Sequence, residues 1–149
     1  MSSYTTIDGL LKRMDAKTLS QLTDDTDTST PSYETTAATA VANQAISDAS
    51  FIVDGYVIGH IDMTDGTNQA RMEPYTCSIA LYKLHTRRHV THEQNPKAAE
   101  YDDAIKFLVG VRDGKLHTTA DVQTRTISST RASEDRFFTD TKIDGFIQQ

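Results

Sequence analysis

His85, His89 and His92 come nearest, in type and spacing, to a metal site in this chain. On one continuous helix they fall at i, i+4 and i+7, on a single side, with Glu93 close behind. Such donors suit zinc, and so a small zinc-dependent enzyme or a metal-binding regulator. Arg87 and Arg88 stand among them, and Asn95 and Pro96 follow at once. The competing reading is a solvated helix end whose cations suit the dipole. Asp24, Asp25 and Asp27 raise the same question for calcium. Counted from Asp25, an EF-hand loop requires Gly at its sixth place and Glu at its twelfth. The chain has Thr30 and Thr36 there, which favours a solvated acidic loop. Cys77 is the sole cysteine, so no internal disulfide can form, and its apolar neighbours make it a small core side chain. Asp102 and Asp103 are adjacent and do not face each other on a helix, so they make no general acid–base pair. Gly-rich phosphate loops, His-Glu-x-x-His, paired-cysteine zinc spacings and nucleophile elbows are all absent from the sequence. The expectation is a protein with no catalytic residues, no resident metal and no cofactor.

The elements around these residues read as helices. Between residues 32 and 59, Ala38, Ala42, Ala45, Ala49, Ile52 and Tyr56 recur by fours and threes on one stripe. Val41, Ile46 and Val53 widen that stripe, and Asn43, Ser47, Ser50 and Asp54 fall opposite. Pro31 suits the start of this helix and Gly59 its end. A short helix is expected over residues 4–14, with Ile7, Leu10, Leu11 and Met14 inward, and one more turn over 18–22. Residues 60–71 read as a connecting loop around the turn pair Asp65 and Gly66. A helix over 72–87 places Pro74 in its first turn. It is apolar on two sides: Cys77, Ala80, Leu81 and Leu84 on one, Tyr75, Ile79 and Tyr82 on the other. The second side is expected to meet another subunit. A further helix spans 95–114, with Ala98, Tyr101, Ala104, Ile105 and Leu108 inward and Asp102 paired with Lys106. Phe107 lies off that face and is a second candidate for a subunit contact. The fold class is therefore all-α: a small helical bundle with one long central helix, residues 1–116, followed by an extended C-terminal tail, residues 117–149.

That tail is rich in Thr, Ser and charge, with apolar residues gathered in two pairs, Phe137 with Phe138 and Phe146 with Ile147. Such a composition cannot bury much surface by itself, so the pairs point to docking on a partner. The net charge of −6 is uneven, −7 over residues 1–82 and +1 over 83–149. An acidic half argues against a nucleic-acid binder, since phosphate contacts need clustered cations. The sequence shows no signal peptide and no apolar run long enough to span a bilayer, so the expected setting is a soluble chain in a reducing cytosol, with no membrane partner.

Four signatures stand in fixed order: YTTIDGLLKRM with LSQLTDD, ISDASFIVDGYVIG, CSIALYKLHTRR and EYDDAIKFLVGVRDGKL. Together they resemble the Mu-like phage head protein family, whose members look like head–tail connector (adaptor) proteins of tailed phages. The matching residues are Tyr4, Leu22 with Thr23 and Asp24, Val53 through Tyr56, Tyr101 with Ala104, and Gly114 with Lys115. In the tail, Ser128, Ser129 and Arg131, then Phe138 and Thr139, look like the family's Ser-Ser-x-Arg and Phe-Thr pattern. The family's loop after the long helix is usually proline-rich; residues 61–71 hold no proline. The resemblance implies a structural virion protein at the neck, assembled in the host cytoplasm. It implies a homo-oligomer, expected to be a twelve-fold ring, beneath the phage portal protein and joined to the next neck, stopper or tail-completion protein. Double-stranded DNA would pass through the channel without sequence-specific binding. Arg131, Phe137, Phe138, Thr139, Phe146 and Ile147 would then hold the portal or a neighbouring subunit.

Overall fold

The computed structural model describes residues 3–25 and 32–115. Among them the chain forms five α-helices and one 3-10 turn, with no strand. The helices are α1 (Ile7–Leu11), α2 (Ala16–Thr23), α3 (Thr36–Val57), α4 (Gly66–Arg87) and α5 (Ala98–Arg112). Short polar side chains fix most starts by accepting the free N–H groups of a first turn. Thr6 serves α1, Asp15 serves α2 at 3.0 Å, Thr35 serves α3 at 3.2 Å and Asp65 serves α4 at 2.8 Å. The two hydrogen bonds that Thr18 donates to Asp15 hold that carboxyl below the usual range.

The long central helix is present at α3, and α4 is equally long. The loop expected over 60–71 is shorter, because the Asp65 cap starts α4 at Gly66 instead of residue 72. Pro74 therefore sits inside α4, not in its first turn. It has no N–H to give the carbonyl one turn earlier, a cost the helix carries through packing. The first helix is shorter than residues 4–14, and α2 extends beyond 18–22.

α3 lies at the centre and contacts the four other helices. Ala38, Ala42, Ala45 and Ala49 are buried as their spacing predicts, and Ile52 and Tyr56 are half-buried. The buried stripe swings instead through Ile46, Ser50, Val53 and Val57. Ser50, expected opposite the core, is buried because the N-terminal segment covers that side. The Tyr4 N–H approaches Ser50 Oγ at 3.5 Å, and the Tyr4 hydroxyl donates to the Asp54 carboxylate. Burial first, and then that carboxylate, push the Tyr4 phenol well above its ordinary range. Cys77 is fully buried beside Thr5 Oγ1 at 3.1 Å, and burial raises its thiol. It is the core side chain its neighbours predict.

Gly9 shows how tightly α1 seats on α4. A Cβ there would lie 2.2 Å from Thr5 Oγ1 and 3.1 Å from Glu73 Oε1. Thr5 is buried and held against Cys77, so it cannot swing away without losing that contact. Gly9→Ala gains up to ~1 kcal/mol of helix propensity but meets an overpacking cost of about 1–3 kcal/mol. We expect a net loss, read as a lower thermal midpoint; an unchanged or raised midpoint would show that Thr5 yields freely.

Candidate assembly surface

α4 and α5 run antiparallel, with Tyr75 stacked on Phe107 at 4.0 Å and Tyr82 on Tyr101 at 4.1 Å. The second apolar side of α4 is thus covered by α5 of the same chain. Ile79 is fully buried and has no surface left for a second subunit, which corrects its assignment to a subunit contact. Tyr75, Tyr82 and Phe107 are half-buried, engaged first with their own chain. A helix apolar on two sides needs two neighbours, and here both are supplied in cis.

The three histidines do not gather into a donor set. α4 ends at Arg87, and His89 takes a left-handed conformation with φ 60°, so the i, i+4, i+7 stripe is never formed. His92, itself exposed, lies edge-on to the stacked tyrosines, with Nδ1 3.0 Å from the Tyr82 hydroxyl and Nε2 3.3 Å from Asp102 Oδ2. That contact takes Asp102 away from Lys106, which lies beside Asp103 instead at 3.3 Å. His85 is drawn below its ordinary pKa by burial and by Lys97. Among the described residues, no group of three or more His, Cys, Asp or Glu could hold a metal ion.

The acids after α2 meet the cations after α4. Arg87 pairs with the Asp25 carboxylate, and Arg88 Nη2 lies 3.1 Å from Asp25 Oδ1. Arg88 also donates to the carbonyls of Gln21 at 2.9 Å and Asp24 at 2.7 Å, and Arg87 to that of Leu22 at 3.3 Å. Two guanidinium groups thereby cap the carbonyl end of α2, where the helix dipole favours positive charge. Asp24 Oδ2 in turn accepts the Ser32 N–H at 2.9 Å. Asp24 is buried in these contacts, whereas Asp25 stays exposed, as a solvated loop requires; Asp27 lies outside the described residues. Arg87 holds the Asp25 carboxyl below its usual range. Its folded pKa is depressed, so the pairing is complete above the unfolded carboxylate pKa and is lost as pH falls through the lower folded value. An NMR titration should place the Asp25 midpoint below that of an ordinary aspartate, and Arg87→Ala should raise it. The stability change should be small, since the pair is exposed.

Two features remain open on the surface. The first is a groove of about 510 Å³ between α3, the C-terminal half of α4 and the start of α5. Val41, Ala45, Ile52, Tyr82, Leu84 and Tyr101 give it an apolar floor, with Asp48, Lys83 and Arg87 as its charges. Burial pushes the Tyr101 phenol upward, as expected at such a floor. The second is the outer face of α3 and its cap, where Phe51 is 51% and Ile58 69% exposed. Gly55 lies between them, with open space where its side chain would be. The sequence reading missed both, having treated α3 as a core helix alone. The signal available was that Phe51 and Ile58 fall off its alanine stripe.

Residues 4–136 match the family described as Bacteriophage Mu, Gp36. The chain belongs to the bacteriophage Mu Gp36 family. It is also 32% identical over 93 residues to Gene product J of Escherichia phage Mu, a stretch covering 60% of this chain and 60% of that protein. Membership places the chain among the structural proteins of Mu-like tailed phages, associated with the virion head. The match runs past the end of α5 and takes in Arg131, but stops one residue before Phe137. Arg131, Phe137, Phe138, Thr139, Phe146 and Ile147 lie outside the described residues. None of the described helices is long and apolar enough to cross a membrane.

Proposed function

We propose that this chain is a head–tail connector of the virion neck. It forms a ring below the portal, extends the DNA channel and joins capsid to the next neck or tail protein. The observation that carries this reading is the Gp36-family match over residues 4–136. The small five-helix bundle supports it, with an apolar groove and exposed apolar side chains that its own described residues leave open. The role is architectural: it needs no cofactor and no chemistry at His85, His89 or His92. The domain division follows the same reading, with residues 1–116 as the bundle and 117–149 as the portal-docking segment. A net charge of −6 suits a channel wall that must release passing DNA, because like charge repels the phosphates.

The test is the native mass of the full chain with and without purified portal. The expected result is monomer or loose oligomer alone and a defined ring, twelve-fold by this reading, once portal is added. A chain that stays monomeric and unbound beside intact portal overturns the reading.

A further inference from the structure

The connection from α4 to α5, residues 88–97, is tied back to the turn of α4 that holds Tyr82. Asn95, itself buried, donates through Nδ2 to the Tyr82 carbonyl at 3.2 Å and to Thr86 Oγ1 at 3.4 Å. His92 reaches the other end of the same tyrosine, with Nδ1 3.0 Å from its hydroxyl. Stacking on Tyr101 at 4.1 Å holds the Tyr82 ring in place. The second imidazole nitrogen, Nε2, lies 3.3 Å from Asp102 Oδ2. The groups facing this imidazole are thus Tyr82 from α4 and Asp102 and Tyr101 from α5, with Glu93 beside it in its own turn. The lysines to either side of Asp102 in sequence are engaged elsewhere, Lys97 with Glu100 at 2.6 Å and Lys106 with Asp103 at 3.3 Å. A neutral imidazole carries one N–H and one bare nitrogen. A carboxylate oxygen has no hydrogen, so a bare Nε2 would set two lone pairs against each other. The N–H therefore belongs at Nε2, which leaves Nδ1 bare to accept from the Tyr82 O–H. A further proton goes to Nδ1, the one nitrogen left to take it. Nδ1 then donates, the Tyr82 oxygen accepts, and the phenol hydrogen has to turn away.

From this we infer that Tyr82, His92 and Asp102 form a proton-operated switch: one proton taken up by His92 reverses the hydrogen bond at Tyr82 and frees its O–H. Asp102 is the positioning residue that sets the tautomer. His92 is exposed, so protons reach it directly from solvent. Tyr82 is one of the residues lining the groove between α3, α4 and α5. The charge of a surface imidazole thereby decides whether a groove-lining side chain has a hydrogen-bond donor to offer. The Asn95 bonds do not titrate, so the connection stays fastened in both states. The switch stands on this geometry alone and does not depend on the connector reading.

The experiment is an NMR titration of the full-length chain carrying nitrogen-labelled histidine and carbon-labelled tyrosine rings. Neutral His92 should show a protonated Nε2 and a bare Nδ1, and charged His92 should be protonated at both. The Tyr82 Cζ resonance should step at the same midpoint as the imidazole. Tyr101 is the control. Its ring is likewise edge-on to His92, with centroids 6.5 Å apart against 5.6 Å for Tyr82, so the field of the new charge moves both rings alike. Reversal of the hydrogen bond moves Tyr82 several-fold further. A neutral His92 protonated at Nδ1 overturns the inference, as do equal steps at Tyr82 and Tyr101 or no step at Tyr82. These readings come from the wild-type chain, so none depends on a variant that must fold. Asp102→Ala then tests the positioning role. The neutral imidazole should become a mixture that admits the Nδ1–H form, a change that loss of a merely structural contact would not produce. An unchanged tautomer in that variant strikes Asp102 from the switch.

Discussion

A chain ended at Leu116 is expected to lose portal binding entirely and to keep its bundle. The buried apolar residues among those described run from Leu10 to Val111, so the cut leaves every one of them in place. The last helix is also closed before the cut. The Asp113 N–H bonds the Val109 carbonyl at 2.9 Å, the Lys115 N–H bonds that of Gly110 at 2.9 Å, and Gly114 takes φ 67°. That is how a helix satisfies its last carbonyls, with glycine supplying the left-handed step. A change outside the core commonly costs within about 0.5 kcal/mol, so the thermal midpoint should move by no more than about 4 °C. Binding should vanish because Arg131, Phe137, Phe138, Thr139, Phe146 and Ile147 are all removed. Co-sedimentation with portal reads one effect and thermal unfolding the other. Equal co-sedimentation of full and shortened chains would remove the docking role from that segment. Replacing Phe137 and Phe138 together by Ala should weaken docking more than replacing any single Thr, since a few buried aromatics carry most of such contacts.

Leu108→Ala is expected to be the most damaging single substitution in α5. Leu108 is fully buried, in the core cluster that α5 shares with α3 and α4. Removing its branched end loses the transfer energy of those carbons and leaves a hole that helices on both sides cannot close. Large-to-small changes of this kind cost about 2–5 kcal/mol, against a total stability of roughly 5–15 kcal/mol for a domain. The thermal midpoint should fall by about 10–25 °C. Ile105→Ala, at a half-buried position of the same helix, should cost visibly less. Urea unfolding of the two variants decides the ranking. A loss at Leu108 under about 1 kcal/mol would mean that α5 is not an integral layer of the core.

Helices and their buried stripes were largely legible beforehand. The alanines of α3 are spaced by fours and threes, a period that only one side of a helix can satisfy, and they are buried as that spacing requires. The start of α4 was not legible, because Asp65 and Gly66 form a turn pair as readily as a cap and first helical residue. Nor was the fate of Ser50 and Asp54. Their residue types suit solvent, and only the N-terminal segment bearing Tyr4 covers them, burying Ser50 and half-burying Asp54.

Sequence by itself determined that this protein is helical, which sides of its helices are apolar, and, through its ordered motifs, the phage family it resembles. Local spacing carries that much, because the pitch of a helix is a property of neighbouring residues. Tertiary structure alone decided what covers each apolar side. It brought α5 onto the Tyr75, Ile79 and Tyr82 side of α4, and joined Arg87 to Asp25 across 62 positions. It turned His92 away from His89 and toward Asp102. It also left Phe51 and Ile58 outside the core, and an apolar groove open between α3, α4 and α5. A periodic pattern says that a side must be buried; which partner buries it depends on contacts between residues far apart in the chain, and those exist only once the helices have packed.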